Sequence, residues 1–326
     1  MEEFEHTAKV LIVGAGVAGL AAAAHLQQMG QDVLVIEKGR GVGGRLATRR
    51  IGQATFDHGA QFITARTPRF VATLEKWAAA DVVEKWYQNP AGDHPRWRGK
   101  PAMTALAKYL ARDVRVLLEK RVVELRHHRA GWAVRLNSRE TVLAQAVVLT
   151  APVPQSLALL DAGGVHLSPI LRTHLESLVY ERCLAVMAVL DGPTQIGPPG
   201  GLVPSDGPIA WMADNQLKGI SATPAVTIQA TAAFSLDHWD ADRQESGQVL
   251  LRAAAPWLGS AVVEFQVHGW RYSKPIAVEP SLCLTLNRQP PLLIAGDAFA
   301  GSRVEGAMLS GWGVVDTLIQ LGLNPL

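Results

Sequence analysis

The sequence predicts an α/β fold: a Rossmann-like dinucleotide-binding domain assembled from separated stretches of chain, with a mixed α+β domain inserted between them. Three observations predict it. A short apolar strand at residues 10–13 runs into Gly14, Gly16 and Gly19, the spacing GxGxxG, and then into an alanine-rich helix. A second strand at residues 32–36 ends in Glu37. Near the other end of the chain an apolar strand at 291–295 closes in Gly296 and Asp297, before a helix pattern over 306–321.

Residues 20–29 have helix-forming composition and Gly30 ends that helix. With the flanking strands they form a βαβ unit, whose parallel crossover is right-handed. Residues 52–113 are mixed, with helix-like stretches at 69–80 and 103–110. Strand signals then follow at 114–118, 122–126 and 132–136, with Gly131 as the turn between the last two, and at 146–150. They read as a small sheet inserted before another buried strand. From 152 to about 280, strands are expected at 183–190, 209–213, 227–234 and 262–270, and a helix at 241–255. The expected dinucleotide domain is therefore discontinuous, residues 1–66, 101–153 and 281–326, and the expected substrate domain is 67–100 and 154–280.

The bulk properties exclude several classes. The chain has 326 residues, 48% hydrophobic, with a formal net charge of +2 and no dense basic block, so nucleic acid is not an expected partner. Two cysteines, Cys183 and Cys283, make no disulfide framework; both sit among apolar residues and are expected to be buried and inert. The acidic start, MEEFEHTAKV, lacks a basic region and does not resemble a secretory signal. The apolar run after it is broken by glycines, His25, Gln27 and Gln28 and falls short of a membrane span. The expectation is a cytoplasmic protein with no membrane partner, monomeric or homodimeric. The histidines form no ligand cluster, so no metal is expected. Trp77, Trp86, Trp97, Trp211, Trp239, Trp257 and Trp270 lie outside the dinucleotide stretches and are expected in core or domain contacts, one or two lining a planar-ligand pocket.

The glycines carry the first chemistry. Gly14 permits a tight strand-to-helix turn, Gly16 lets a pyrophosphate approach the backbone, and Gly19 lets helix and strand pack closely. Together with Ala15, Val17 and Ala18 they open a helix whose free N–H groups favour phosphate. Glu37 can accept from both hydroxyls of an adenosine ribose. Then Lys38-Gly39-Arg40-Gly41-Val42-Gly43-Gly44-Arg45 supplies a second glycine nest. Arg45 or Arg40 can meet phosphate bidentately, which points beyond a simple NAD site to FAD. In Asp57-His58-Gly59-Ala60-Gln61-Phe62, Gly59 and Ala60 are small enough to lie against a flat ring, and Gln61 can bond to a ring edge or substrate. His58 is read first as a structural histidine or one touching the flavin, and second as a general base. At the far end Asp297 can accept from ribityl hydroxyls. The amides around Val304, Glu305 and Ala307 can face the pyrimidine side of a reduced flavin, with Arg303 adding positive charge. Val122, at the start of its strand, and Phe62 complete the FAD-binding candidates. Neither Cys nor His lies in segment 296–307, so the FAD is expected to be non-covalent.

The stretches GAGVAGL, VIEKGRGVGGRLATRR, DHGAQFIT and IAGDAFAGSRVEGAMLSGWG resemble the FAD-dependent amine-oxidase superfamily. RWRGKPAMTALAKYL, AVVLTAPVPQSLALL and VHGWRYSKPI resemble its short renalase-like members, particularly bacterial ones. The resemblance implies a glutathione-reductase-like FAD domain with an inserted substrate domain. It also implies oxidation of 6-dihydro-NAD, or of 2-dihydro-NAD(P), with hydride passing to FAD. Ordinary β-NAD(P)+ is released and O2 is reduced to H2O2. By that resemblance Gly14, Gly16, Gly19, Glu37, Arg45 and Glu305 match FAD-binding positions, while Gln61 and Trp270 match regions near the flavin face without individual roles.

A dihydropyridine expels hydride with its own ring lone pair, so the protein need supply neither acid nor base. Its task is to hold the donor carbon roughly 3–3.5 Å from the acceptor atom. Arg271 and Lys274 beside Trp270 and Tyr272 offer stacking faces and charge to a dinucleotide; the alternative is that the cations face solvent. No second GxGxxG is present. Two other readings stand beside this one. One is an FAD oxidase or dehydrogenase acting on a small amine or a hydrophobic donor such as a polyene. The other is a protein that keeps its flavin for a structural or sensing purpose.

Overall fold

The computed structural model describes residues 4–88, 92 and 94–323; residues 1–3 of the acidic start lie outside them. The chain begins with β1 (His6–Val13), α1 (Val17–Gln28), β2 (Val33–Ile36), β3 (Thr48–Ile51) and β4 (Ala54–Asp57). It continues with α2 (Pro68–Ala79), β5 (Val83–Gln88), β6 (Pro95–Gly99), α3 (Thr104–Ala111) and β7 (Arg115–Leu117). Then come β8 (Val122–His128), β9 (Gly131–Leu136), β10 (Thr141–Leu149), α4 (Val153–Ala162), α5 (Pro169–Glu176) and β11 (Tyr180–Leu190). The remainder is β12 (Gly201–Leu202), β13 (Ile209–Asp214), β14 (Ala225–Ala230), α6 (Ala232–Asp237), α7 (Arg243–Leu258), β15 (Val262–Pro275), β16 (Leu284–Arg288), β17 (Pro291–Ile294) and α8 (Val304–Gln320).

These elements form two compact units. The first is Met1–Gly44, Ala107–Val179 and Pro275–Leu326; the second is Arg45–Leu106 and Tyr180–Lys274. In the first, β17, β10, β1, β2 and β7 lie side by side as parallel strands, with β16 antiparallel at one edge. Every residue of β2 is buried, as are the last four of β1 and of β10. Strands covered on both faces read as continuous apolar runs, which is how these appear in the sequence. The hairpin β8–β9 is not a separate small sheet, as expected, but extends the same one: β9 pairs antiparallel with the first half of β10. Helix α8 lies against α1 where Gly311 is required, because a Cβ there would collide with the Ala18 carbonyl oxygen.

The second unit is built on the sheet β12-β13-β14-β11-β15. Its core joins Leu184, Val186 and Ala188 of β11 to Val226 and Ile228 of β14 and to Leu250 and Ala254 of α7. All seven tryptophans expected outside the dinucleotide stretches fall in this unit. The strand expected over 227–234 ends at Ala230. Thr231 instead accepts from the Phe234 amide and starts α6, a cap winning over the β-like composition of the stretch.

The unit boundaries differ from the expected partition at four places, each with a bonding reason. Residues 45–66 join the second unit because Asp57 is tied to Lys218 and its carbonyl to Thr227. Residues 101–106 follow them through Met103 N, which donates to Asp57, and through the reciprocal bonds by which the Thr48 and Thr104 amides donate to each other's hydroxyls. Residues 154–179 join the first unit, where Gly163 closes on the Leu125 carbonyl and Arg172 bridges to Asp161. Residues 275–280 follow because the Glu279 amide donates to Ala298 and its carbonyl accepts from Ala300.

Candidate active site

In the first unit, β1 delivers the chain to Gly14 at φ +109°, a conformation that favours glycine, and a Cβ there would stand 2.9 Å from Thr150 Oγ1. Thr150 donates to the carbonyls of Val13 and Gly14 and so ties β10 to the turn. Gly16 caps α1 without a side-chain partner for the first-turn amides, and a Cβ on it would meet nothing within 4 Å. The first-turn amides therefore have no side-chain cap, and Gly16 leaves room beside the helix start, the two features a phosphate site needs. A Cβ on Gly19 would collide with the Gly14 carbonyl oxygen. Val17, Ala18 and Gly19 are buried.

The two glycine nests meet. Gly43 N donates to the Ala15 carbonyl at 2.8 Å, and the Cβ position of Gly44 lies 3.7 Å from the Gly16 Cα. Glu37 ties them together: Oε2 accepts from Ala15 N at 2.8 Å and Oε1 from Gly39 N at 2.7 Å. Each carboxylate oxygen keeps a lone pair, so both ribose hydroxyls can still be accepted. Lys38 is held to Gln155 at 3.0 Å.

The C-terminal piece adds a second helix start of the same kind. Gly296, at φ +142°, donates its amide to Ser310 Oγ. Asp297 is half-buried, Glu305 and Ala307 are buried, and Arg303 is exposed. Arg303 caps α8 without a side-chain hydrogen bond, and Glu305 stands in the first turn, where the helix dipole favours a carboxylate. Val122 is buried at the start of β8.

The remaining candidates lie in the second unit. Gly59 permits a contact no other residue could make, since its Cβ would collide with the Arg45 carbonyl; Ala60 N donates to that carbonyl at 2.8 Å. Arg45 directs Nη1 to the carbonyls of Tyr272 and Ser273. Gln61 donates Nε2 to the carbonyls of Asp57 (2.6 Å) and Gly59 (3.2 Å), and its Oε1 is buried without a partner. His58 is 3% exposed and stacks on Trp270 at 5.1 Å and 18°, with His268 edge-on at 4.9 Å. Trp270 Nε1 donates to the His58 carbonyl, while His58 Nδ1 is buried and unpartnered. Burial, then the charges of His268 and Arg49, depress His58 to about 3; burial, then Arg49 and Arg243, depress His268 to about 4. Both rings are neutral at neutral pH, and His58 is too weak a base for efficient proton abstraction there. Orphaned polar atoms in a native interior call for a ligand or water, and His58 Nδ1 and Gln61 Oε1 lie three residues apart in one segment.

Sequence reasoning missed the anchor beneath this segment. Lys218 and Asp57 form an ion pair at 2.8 Å with both side chains fully buried, and Asp57 also accepts from Thr48 Oγ1 and Met103 N. Burial pulls the Lys218 ammonium below its usual range, and Asp57 opposes that shift. It also missed Gln229, which donates to the carbonyls of Gly59 and His58, and Thr150 in the first unit. Arg271 and Lys274 are exposed, Trp270 and Tyr272 are half-buried, and the Arg271 guanidinium carbon lies 6.0 Å from the Tyr272 ring centroid. Cys183 is buried with its thiol pushed up to about 12; Cys283 is half-buried rather than buried, beside Thr317.

Residues 12–77 match the NAD(P)-binding Rossmann-like domain, and residues 89–319 match the flavin containing amine oxidoreductase family. The chain belongs to the flavin-containing amine oxidoreductases. It is thus an FAD-dependent oxidoreductase by family, and FAD is its non-covalent cofactor. The open first turn of α1, the Glu37 carboxylate and the paired nests fit the adenosine diphosphate half of that cofactor. Among similar proteins, one described as a possible lysine-specific histone demethylase of Drosophila melanogaster is 41% identical over 75 residues, 23% of this chain and 8% of its own length. A 4,4'-diapophytoene desaturase of Staphylococcus aureus is 45% identical over 51 residues, 16% of this chain and 10% of its own. The chain therefore spans only a small part of these relatives. A putrescine oxidase bound to putrescine superposes with a TM-score of 0.70 over 96% of this chain and 99% of that one, at 15% identity, a likeness of fold. Among the described residues no helix is long and apolar enough to cross a membrane, and no group of three or more His, Cys, Asp or Glu could hold a metal.

Proposed function

We propose that this protein is an oxidase that takes a hydride from a small-molecule donor and passes the electrons to O2, giving H2O2. Bound FAD supplies the two-electron chemistry. The donor we infer is a dihydronicotinamide isomer, 6-dihydro-NAD or 2-dihydro-NAD(P), released as β-NAD(P)+, the renalase-like reaction.

The observation that carries this reading is the neutral, base-poor character of segment 57–62 and its surroundings. His58 and His268 are held uncharged, Asp57 is bound up with Lys218, and Arg49 is the charge acting on both imidazoles. A dihydropyridine needs no proton removed when it gives up hydride, and Gln61 Oε1 can accept from the amide of a carboxamide ring. The chain's residues are then left to orient and to exclude water. Gln229 and Gln61 fix the backbone of Gly59, and Trp270 clamps His58.

A second reading has its own support. The relatives' names point to a methylated lysine side chain and to a polyene, and the superposable fold is that of an amine oxidase. By those names an amine or hydrophobic donor is the nearer choice, and the dihydronicotinamide rests on the site's electrostatics and on resemblance. Anaerobic mixing of flavin-loaded protein with 6-dihydro-NAD, NADH, putrescine and benzylamine separates the two, read by loss of the visible flavin absorbance. Rapid bleaching by 6-dihydro-NAD alone is expected. Bleaching by an amine, with none by the isomer, sinks the dihydronicotinamide reading.

A further inference from the structure

Within the second unit, β6 carries Arg96 and Arg98 two residues apart, so both lie on one face of the hairpin β5–β6. The Arg96 guanidinium carbon stands 4.2 Å from the centroid of the Phe62 ring, 5.2 Å from Tyr87 and 5.2 Å from Trp211. Three aromatic rings thus enclose a cation that the chain itself provides. Its one hydrogen bond is from Nη1 to Tyr87 Oη. Of five N–H donors, four find no acceptor, and no carboxylate reaches it, among the described residues.

The neighbouring charges are already spent. Arg98 pairs with Glu84, and Lys218 with Asp57. Two further donors beside them are buried and unpartnered, Arg98 Nη1 and Trp211 Nε1. The balance is a half-buried positive charge with unfilled donors in an aromatic box. Rings in this arrangement would otherwise suit an ammonium group, but the box is filled, and a second cation would be repelled by the first. The complementary guest is an oxyanion, which a guanidinium binds through paired N–H donors.

We propose that Arg96 is a specificity-determining residue that selects an oxyanion-bearing donor, the phosphate of a dinucleotide, and rejects amines. The inference rests on the dihydronicotinamide reading for the phosphate as the source of the oxyanion. Phe62 then serves as a wall of this box.

The test uses flavin-loaded protein, so that the FAD cradle is filled, titrated calorimetrically with ADP-ribose, which bears phosphates but no oxidisable ring. Arg96→Met keeps the apolar stem between the rings and is expected to weaken ADP-ribose binding about tenfold or more, the effect of losing a charge-assisted hydrogen bond. Arg96→Lys keeps the charge but loses the paired donors, and is expected to bind ADP-ribose more weakly than the parent but more tightly than Arg96→Met. Binding of adenosine, which has no phosphate, is expected to be indifferent to both changes. Unchanged ADP-ribose binding by Arg96→Met with full flavin content, or no binding by the parent protein, overturns the proposal. If 6-dihydro-NAD fails to bleach the flavin while ADP-ribose binding still depends on Arg96, the oxyanion site stands and the donor assignment falls. If the isomer bleaches the flavin equally well in both variants and with unchanged half-saturation, the donor stands and the role of Arg96 falls.

Discussion

The glycine cradle of the first unit and the 57–62 segment of the second are the two surfaces proposed to bind, yet they are made of different material. The cradle is backbone: turn amides, two glycine nests and one carboxylate, Glu37, bonded to residues 22 positions and 2 positions away. The 57–62 segment is held by side chains from far along the chain, Lys218 at a separation of 161, Gln229 at 170 and Trp270 at 212. A backbone site is specified by what must be absent, a Cβ. A side-chain lattice is specified by partners that only the finished fold brings together. The two should therefore fail differently.

The largest effect is expected where the lattice is most exposed to an uncompensated charge. Lys218→Met leaves Asp57 buried without its cation and should cost about 3–5 kcal/mol of stability. Adding Asp57→Asn should restore most of it, because the charge goes with its partner. Thermal unfolding of the two variants reads the difference. Equal losses in both would mean that the pair does not couple, and the lattice picture would fail.

The cradle should break with less damage to the fold. Gly19→Val drives a Cβ into the Gly14 carbonyl oxygen, an overpacking of about 1–3 kcal/mol. That strain falls on the turn proposed to meet the phosphates, so up to roughly a hundredfold of FAD affinity should be lost. Flavin content after purification and FAD titration of the apoprotein would show it. Full flavin content in this variant would remove the cradle from the turn.

This contrast explains what could be read from the sequence. The βαβ unit, the strand before Gly296 and the helix α8 were legible because apolar runs and glycine spacing are local signals, and so was Glu37 at the end of β2. The hairpins β3–β4 and β5–β6 were not, because residues 52–113 alternate weakly and their register is set by partners such as Ser221 and Ile63. His58 was visible as a residue; its neutrality was not, since that comes from burial against His268 and Trp270. Lys218, in a loop between β13 and β14, carries no signal at all until the fold is known. Arg96 is equally silent, one of two arginines in the short run RWR.

A third, smaller effect sharpens the comparison through pH. Folding depresses His58 to about 3 and His268 to about 4, from 6.5. Between those values and 6.5 the unfolded chain binds protons that the folded chain refuses, so their contribution is undiminished above pH 6.5 and falls as pH drops toward 4. The slope for His58 reaches about 1.4 kcal/mol per pH unit. His58→Phe keeps a ring on Trp270 and should flatten the acid limb of urea-unfolding stability relative to the parent protein. Parallel curves from pH 4.5 to 7 would show that the ring is not buried as described.

The smallest effect belongs to the one cationic pair that the sequence did bring forward. Arg271 and Lys274 flank Tyr272 on β15 and are exposed, while Trp270 turns inward to His58. The Arg271 guanidinium reaches over the half-buried Tyr272 ring, 6.0 Å from its centroid, but stays exposed, and a solvated arginine without a buried partner contributes within about 0.5 kcal/mol. Arg271→Ala should therefore shift the melting temperature by no more than about 2 °C and leave the half-saturating donor concentration within about twofold of the parent. Arg96, the second residue of its strand and enclosed by three rings, should not be so forgiving. If Arg271→Ala weakened the donor more than Arg96→Met did, charge recognition would lie on the exposed edge of β15, and the distinction between a solvated cation and an enclosed one would lose its functional meaning here.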